Sequence, residues 1–224
     1  MGYGRSVSMA ALAAAALSGV TLAQAAGAGL RIGTTGVGAD FGWEIAPTLG
    51  GRIGLSGGEV NTTVTSTDVH YDAKVKLANA SLLLDWSPLG PFRISAGIVP
   101  NKNKADLTGE PTGGSFTING NPYTAAQIGS LSGTVKSGSS VAPYLGIGYG
   151  NVWTKGVNFY FDLGVMFQGS PKVSLTANCG AAIAGTPTCT SLQNDVAAEQ
   201  QRLQDKADKY KYYPVANIGI TIGF

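Results

Sequence analysis

The sequence NIGITIGF, residues 217 to 224, alternates strictly between apolar and small or polar side chains. Only a β-strand repeats its side-chain direction every two residues, so this stretch indicates a strand with two unlike faces. The apolar face carries four residues: Ile218, Ile220, Ile222 and Phe224. Such a strand needs an apolar environment on one side, which is either a protein core or a lipid bilayer.

The same alternation recurs in further segments of the chain. The segments lie near residues 30–45, 49–57, 73–86, 91–101, 140–150, 157–168 and 212–224. About 9 to 11 residues is the length of a tilted strand that crosses a bilayer. The face opposite the apolar rows consists of glycine and isolated charges, and only 12% of all residues are charged. We therefore place the apolar rows in lipid and the other face in a narrow lumen; a soluble exported β-protein is the alternative.

The first 25 residues have the pattern of a secretory signal. Arg5 precedes an apolar run from Val7 to Leu22, and Ala23-Gln24-Ala25 matches a cleavage site. An N-terminal anchor helix is the alternative, but the run is weakly hydrophobic for a full span. Residues 26–224 are predicted to form a single domain. No later stretch reaches the roughly 18 apolar residues of a spanning helix, so strands would have to cross the membrane.

Short and long connections alternate between the predicted strands. Tight turns are expected at 46–48, 87–91 and 151–156, and long polar loops at 57–72, 102–138 and 169–210. The three tryptophans lie in or beside the tight turns: Trp43, Trp86 and Trp153. Amphipathic rings prefer the headgroup level, so we expect an aromatic girdle at one interface. Core tryptophans near strand ends are the alternative.

With these features the chain resembles the small bacterial outer-membrane β-barrel proteins, the broad superfamily of OmpA-like, OmpX-like and OmpW-like barrels. The resemblance covers nearly the whole chain, and it is specific to fold and location rather than to activity. It implies an all-β, closed, antiparallel up-and-down transmembrane β-barrel in the cell outer membrane of a Gram-negative bacterium. It also implies outer-membrane lipid and the barrel-assembly machinery as partners. The assembly signal would be the terminal strand, with Ile218, Ile220, Ile222 and Phe224.

The alternating segments number seven, whereas bacterial single-chain barrels have an even number of strands. We expect eight strands, with ten as the alternative. Within residues 27–45 the apolar side chains change from even-numbered to odd-numbered positions. A turn at that point would divide the segment and supply the eighth strand. The alternatives are residues 172–177 and the stretch SFTING, residues 115–120.

Extending the inward rows places five charged side chains in the lumen: Glu44, Arg52, Asp85, Arg93 and Asp162. A charge in a narrow, poorly hydrated interior is costly unless it is paired, so we expect a network of arginine–carboxylate pairs. The interior of an eight-stranded barrel is only just wide enough for its side chains to fill. The network is therefore either a structural plug or the polar constriction of a small channel.

Cys179 and Cys189 enclose a short segment rich in small residues. An exported chain meets an oxidising compartment, so we expect a disulfide; a metal pair is the weaker alternative because no CxxC spacing occurs. Residues 191–210 have the apolar spacing of a helix, with Thr190 or Ser191 as the expected N-cap. This would be one short helix in a long loop, packed on the rim or, alternatively, binding a partner.

Composition and motifs narrow the function classes. The formal net charge is +2, or +1 without Arg5, and no basic stripe occurs, so we expect no nucleic-acid partner. We expect no metal and no cofactor, because no motif for either is present. A lipid-modifying enzyme would use Asp68, His70 and Asp72 with Ser66, but neighbours in sequence are no evidence of catalytic geometry. We expect a non-enzymatic envelope-structural or surface-interaction protein that binds a surface ligand through its loops, with a narrow channel for small solutes as the alternative.

Overall fold

The computed structural model describes residues 25–66, 69–110 and 115–224. In chain order its elements are β1 (Ala26–Gly33), β2 (Gly36–Ala46), β3 (Leu49–Ser66), β4 (Val69–Leu89), β5 (Phe92–Pro100), β6 (Lys104–Glu110), β7 (Ser115–Ile118), β8 (Asn121–Thr124), β9 (Ile128–Lys136), β10 (Val141–Tyr149), β11 (Gly156–Phe167), β12 (Lys172–Cys179), α1 (Pro187–Ala207) and β13 (Tyr212–Gly223). The predicted signal sequence, apart from Ala25, lies outside the described residues.

Eight of these strands pair antiparallel in a ring. The order around the ring is β1, β2, β3, β4, β5, β10, β11 and β13, and β13 pairs in turn with β1. The all-β fold and the count of eight are as predicted. The eighth strand comes from the segment 27–45, where Thr34 and Thr35 form a two-residue turn between β1 and β2. Gly36 follows this turn with a φ of +92°, a conformation that glycine adopts without strain.

Three more strands continue the wall beyond one end of the ring. Residues 82–89 of β4 pair with β5, whereas residues 70–76 of the same strand pair with β6. β6 pairs with β9, and β9 pairs with β12. The segments 57–72, 102–138 and 169–210 were predicted as polar loops, and this prediction was wrong where they form strands. β3 and β4 extend through the first segment, the second contains β6 to β9, and the third contains β12, which overlaps the alternative strand at 172–177. The sequence signal was weak because these strands are rich in Ser, Thr, Gly and Lys.

The helix is longer than predicted and begins earlier. α1 has 21 residues and starts at Pro187, with Thr186 at the N-cap position, so the expected caps at Thr190 and Ser191 lie inside the helix. Proline suits the first turn because its missing N–H has no partner there anyway. Leu192 and Val196 are buried against the β7–β8 hairpin, β9 and β12 in one apolar cluster. In the part of the chain that the structure describes, no helix is long and apolar enough to cross a membrane.

The two faces of the ring differ as the alternation predicted. Large apolar side chains point outward and are exposed, among them Leu30, Val37, Leu55, Leu84, Leu145, Ile147, Phe159, Phe161, Ile218, Ile220, Ile222 and Phe224. Polar and charged side chains are buried inside, among them Arg31, Asp40, Arg52, Asp85, Arg93, Asp162, Asn217 and Thr221. A water-soluble barrel would show the opposite arrangement. The outward face therefore suits lipid.

Candidate functional site in the lumen

Four of the five predicted lumen charges meet in one network. Arg52 on β3 places Nε 2.8 Å from Oδ2 of Asp85 on β4 and Nη1 2.8 Å from Oδ2 of Asp162 on β11. Arg93 on β5 pairs with Asp162 and places Nε 3.8 Å from Oδ1 of Asp85. Ser95 donates a 2.5 Å hydrogen bond to Asp85. Strands that are distant in sequence thus bring two arginines and two carboxylates to one level of the lumen.

A second charged group, which the sequence reasoning missed, adjoins the first. Arg31 on β1 places Nη1 3.2 Å from Oδ1 of Asp40 on β2, and the Tyr160 hydroxyl donates to Asp40. The Tyr160 ring lies 5.9 Å from the Arg52 guanidinium carbon and 5.5 Å from that of Arg93. The tyrosine therefore links the two groups. The inward positions of Asp40 and Tyr160 were visible in the sequence, but Arg31, the ion-pair partner of Asp40, lies close to the point where the alternation shifts by one residue.

Glu44 does not join this network. It lies on the inward side of β2 but near its end, opposite Gly50, and is only half-buried. Within the described residues it makes no ion pair. A carboxylate at the mouth of the lumen retains water and needs no arginine, so the predicted membership of Glu44 in the network is corrected.

The charges inside the ring balance. Three arginines and three aspartates are buried there: Arg31, Arg52, Arg93, Asp40, Asp85 and Asp162. Ions of this size lose several kcal/mol each on leaving water, and the loss is offset only when geometry and hydrogen bonding are good. Each of these groups has an oppositely charged neighbour within 4 Å. Removing one member of the network would therefore leave an uncompensated charge inside the ring.

The turn between β10 and β11 fills the lumen at the end with the tight turns. Val152 is fully buried and Trp153 is only 6% exposed. A side chain at Gly50 would collide with the Trp153 indole, and one at Gly42 would press on Val152, so these glycines make room for the turn. Trp153 was predicted in an aromatic girdle, and this was wrong because its turn folds inward.

The other two tryptophans lie on the outward face. Trp86 is 49% exposed, and Trp43 is half-buried over Gly51 with its ring centroid 6.1 Å from that of Phe41. Both stand near the tight-turn end of the ring, so their membership in an interfacial girdle stays a prediction. The apolar residues of the predicted assembly signal also face outward. Their recognition by assembly machinery stays a prediction as well.

On the other side of the network the lumen narrows to a small cavity. Its volume is 20 Å³, which is room for about one water molecule. Its lining includes the polar residues Arg31, Asn79 and Asn217 as well as Tyr144 and Met166. Tyr144 and Met166 also belong to a packed cluster of buried side chains: Leu83, Val99, Ala142, Tyr144, Met166 and Val215. Three successive levels of the lumen are thus occupied by side chains.

The part of the chain beyond the ring has a core of its own. Cys179 at the end of β12 is bonded to Cys189 in the first turn of α1, as predicted. The hairpin is tied to the helix by Asp195, which accepts hydrogen bonds of 2.6 Å from Tyr123, 2.8 Å from Asn121 and 3.1 Å from Asn119. We call this unit, β6–β9, β12 and α1, the outer domain.

The free edge of β12 is covered by the helix. Gln204 and Gln200 of α1 accept hydrogen bonds of 2.9 Å and 2.8 Å from the backbone N–H groups of Val173 and Leu175. Gln204 also donates a 2.8 Å bond to the carbonyl of Pro171. Unpaired edge strands invite pairing with other chains, and a glutamine row removes that possibility here. The outer domain is therefore a folded unit with a protected edge.

The helix–hairpin contact is expected to weaken in acid. The hydrogen bonds from Tyr123, Asn119 and Asn121 lower the pKa of Asp195, while burial and the bond to Asp195 raise the pKa of Tyr123 to about 12. A carboxyl whose folded pKa is depressed stabilises the fold above its unfolded pKa of about 3.9, and the contribution is lost as pH falls through the folded value. Hydrogen exchange should show residues 187–207 protected at pH 7 and less protected at pH 3.

A matched pair of variants isolates this contact. Asp195→Ala should remove the difference between the two pH values by lowering protection at pH 7. Asp205→Ala is the control, because the Asp205 carboxylate accepts a bond from Gln201 of the same helix and none of its bonds reaches the hairpin. Equal protection of the wild-type helix at both pH values would contradict the assignment.

The predictions about a metal site and a catalytic site concern two sets of residues. No group of three or more His, Cys, Asp or Glu side chains there is placed to hold a metal ion. Of the residues considered for lipid modification, Asp68 lies outside the described residues. Ser66, His70 and Asp72 lie on β3 and β4 beyond the ring, and the structure describes only their backbone.

An eight-strand ring with an apolar outer face, an ion-paired interior and a polar domain at one end is the architecture of an outer-membrane β-barrel protein. Two solved structures have a similar overall fold. The chain is similar to Acinetobacter baumannii CarO, with 27% identity and a TM-score of 0.62 over 88% of this chain and 97% of that chain. Acinetobacter baumannii CarO2 matches at the same identity and TM-score, over 89% of this chain and 98% of that chain.

The chain has a weaker structural similarity to a major outer membrane protein from Thermus thermophilus, with 13% identity and a TM-score of 0.43 over 90% of this chain and 98% of that chain. No protein-family model and no curated protein matches the chain. The predicted location in the outer membrane is confirmed. The narrower assignment to the OmpA-like, OmpX-like and OmpW-like superfamily stays a prediction.

Proposed function

We propose that the protein is a non-enzymatic anchor that holds a folded outer domain at the cell surface for interaction with a surface ligand. The observation that carries this proposal is the filled lumen. Arg52 and Asp85 in the middle of the ring are fully buried, and Trp153 closes the end with the tight turns. A barrel whose lumen is filled in this way anchors the outer domain in the membrane.

The build of the outer domain favours an interaction role over a simple connection between strands. A simple connection between strands needs no ordered structure. This unit, in contrast, has a disulfide, a buried cluster and a covered strand edge. Each of these features reduces the entropy lost when a partner binds, because the surface is already ordered. A rigid, exposed surface on a membrane support is suited to recognition.

A narrow channel is the second candidate, and the polar lining of the lumen favours it. Rings of arginine and carboxylate side chains form the constrictions of many pores. A channel role would require the network around Arg52 and Asp162 to separate, because both side chains are buried in the present arrangement. The two functions therefore differ in whether the network opens in the membrane.

Liposome swelling separates these two functions. We expect proteoliposomes of the wild-type protein to swell in a pentose or a small amino acid no faster than liposomes without protein. The Arg93→Gln variant should unfold more easily but should still not conduct, because Arg52 and Trp153 continue to fill the lumen. Swelling by the wild type, or a solute selectivity that changes with Arg93→Gln, would contradict the anchor and favour the channel.

A further inference from the structure

Four lysines lie side by side across the part of the sheet formed by β4, β6, β9 and β12. In the antiparallel register Lys76 is opposite Lys104, Lys104 is opposite Lys136, and Lys136 is opposite Lys172. Directly opposed residues lie on the same face of a sheet, with neighbouring strands about 4.8 Å apart. The four side chains therefore form one continuous row, which we call the lysine row.

The lysine row faces the same way as the lipid-facing residues. The pairing of β3 with β4 runs without a register shift from Leu49 to Ser66, so Lys76 has the same parity as Leu82, Leu84 and Trp86. Those three residues are exposed on the outward face of the ring. The other lysines share the face of Lys76 through the sheet register. The row is thus a continuation of the outer wall of the ring.

The height of the row matches the outer membrane interface. From Trp86 to Lys76 there are ten residues, which rise about 33 Å along the strand at ~3.3 Å each. A strand tilt of about 40° reduces this to a height of about 25 Å, the height of the apolar band of outer-membrane barrels. Since Trp86 lies near the tight turns, Lys76 lies at the opposite edge of the band.

Among the described side chains, the lysines in and beside the row outnumber the carboxylates. Like charges directly opposite each other destabilise a sheet. Lys104 pairs with Asp106 at 2.8 Å, and the neighbouring Lys74 pairs with Glu59 at 2.5 Å. Among the described side chains, Lys76, Lys136 and Lys172 make no ion pair. Five lysines and two carboxylates leave a local charge of +3 directly above the apolar band.

We propose that the lysine row binds the phosphate groups of the phosphorylated glycolipid in the outer leaflet. Lysine binds phosphate as a point charge, and clustered lysines next to a membrane segment attract anionic headgroups. A row about 14 Å long, three strand spacings, can meet more than one phosphate. The proposal rests on the location in the outer membrane and on the outward register, and it holds whether or not the lumen conducts.

The test compares two charge-matched variants of the full-length protein in detergent micelles. One carries Lys76→Gln, Lys136→Gln and Lys172→Gln; the control carries Lys155→Gln, Lys206→Gln and Lys209→Gln, which removes the same charge at exposed sites that are not part of the row. The probes are diphosphorylated lipid A, dephosphorylated lipid A and inorganic phosphate, with bound lipid measured by native mass spectrometry. A third variant, with arginine at the three row positions, checks that charge and not the lysine side chain is needed.

We expect the row variant to bind diphosphorylated lipid A less tightly by about 5-fold per lysine, on the order of 100-fold in total. The control and the arginine variant should bind like the wild type, and the wild type should prefer the phosphorylated lipid. The proposal is overturned if the row and control variants lose equal affinity, or if dephosphorylated lipid A binds equally well. Full competition by millimolar inorganic phosphate would also overturn it, in favour of a soluble anion.

Discussion

Replacing Arg52 with alanine is expected to lower the free energy of unfolding by about 3–5 kcal/mol, the usual cost of breaking a buried ion pair from one side. Arg52 is fully buried and bonds to Asp85 and Asp162. Without it the two carboxylates share Arg93 alone and carry excess negative charge in a poorly hydrated interior. Urea unfolding in detergent micelles, followed by tryptophan fluorescence, measures the change.

Two further variants show whether the loss comes from the network. Arg202→Ala removes an arginine that is exposed and lies 3.4 Å from Glu199, so it should change stability by less than about 1 kcal/mol. Adding Asp85→Asn to Arg52→Ala should recover part of the loss, because the uncompensated charge is then removed. If Arg52→Ala were as mild as Arg202→Ala, Arg52 would not hold the ring walls together.

Introducing arginine at Leu145 is expected to destabilise the protein in a bilayer by about 2–4 kcal/mol, the cost of a charge on the lipid face near the midplane. Leu145 is the middle residue of β10 and is 53% exposed on the outward face. Its partners in the sheet are Ala96 and Val165, which give an arginine no counter-charge. Folding into phosphatidylcholine vesicles, compared with the wild type over a urea series, gives the value.

Thr176→Arg is the control for this prediction. Thr176 is exposed on β12 in the outer domain, so an arginine there remains in water and should cost less than about 0.5 kcal/mol. Equal stability of the Leu145→Arg and wild-type proteins in vesicles would mean that the apolar face of β10 is not in lipid.

Much of the ring could be predicted from the sequence, because alternation is a local signal. Each ring strand has an apolar and a polar face. Because Arg52, Asp85, Arg93 and Asp162 lie on the polar faces of their strands, the alternation placed all four inside the lumen. The two-residue turn at Thr34–Thr35 was one of three proposed sources of the eighth strand. It was hard to locate because neither of its two residues is glycine, asparagine or aspartate, which two-residue hairpin turns favour.

The parts that were missed depend on contacts between distant segments. β6, β9 and β12 are separated by long stretches of sequence, so no local pattern shows that they pair. The inward fold of Trp153 depends on the space above Gly42 and Gly50, more than a hundred residues away. Arg31 was missed for a similar reason, since its partner Asp40 is defined by the register of β1 with β2.

Water access to the middle of the lumen tests the central claim most directly. Ser95 is fully buried beside Arg52 and Asp85, and both native cysteines are in the disulfide, so Ser95→Cys introduces one reactive thiol. With the protein in proteoliposomes, we predict that a small charged thiol reagent labels this cysteine only as fast as the protein unfolds, while Thr176→Cys is labelled at once. Rapid labelling of both cysteines in the folded protein would show an open water path and contradict the plugged anchor.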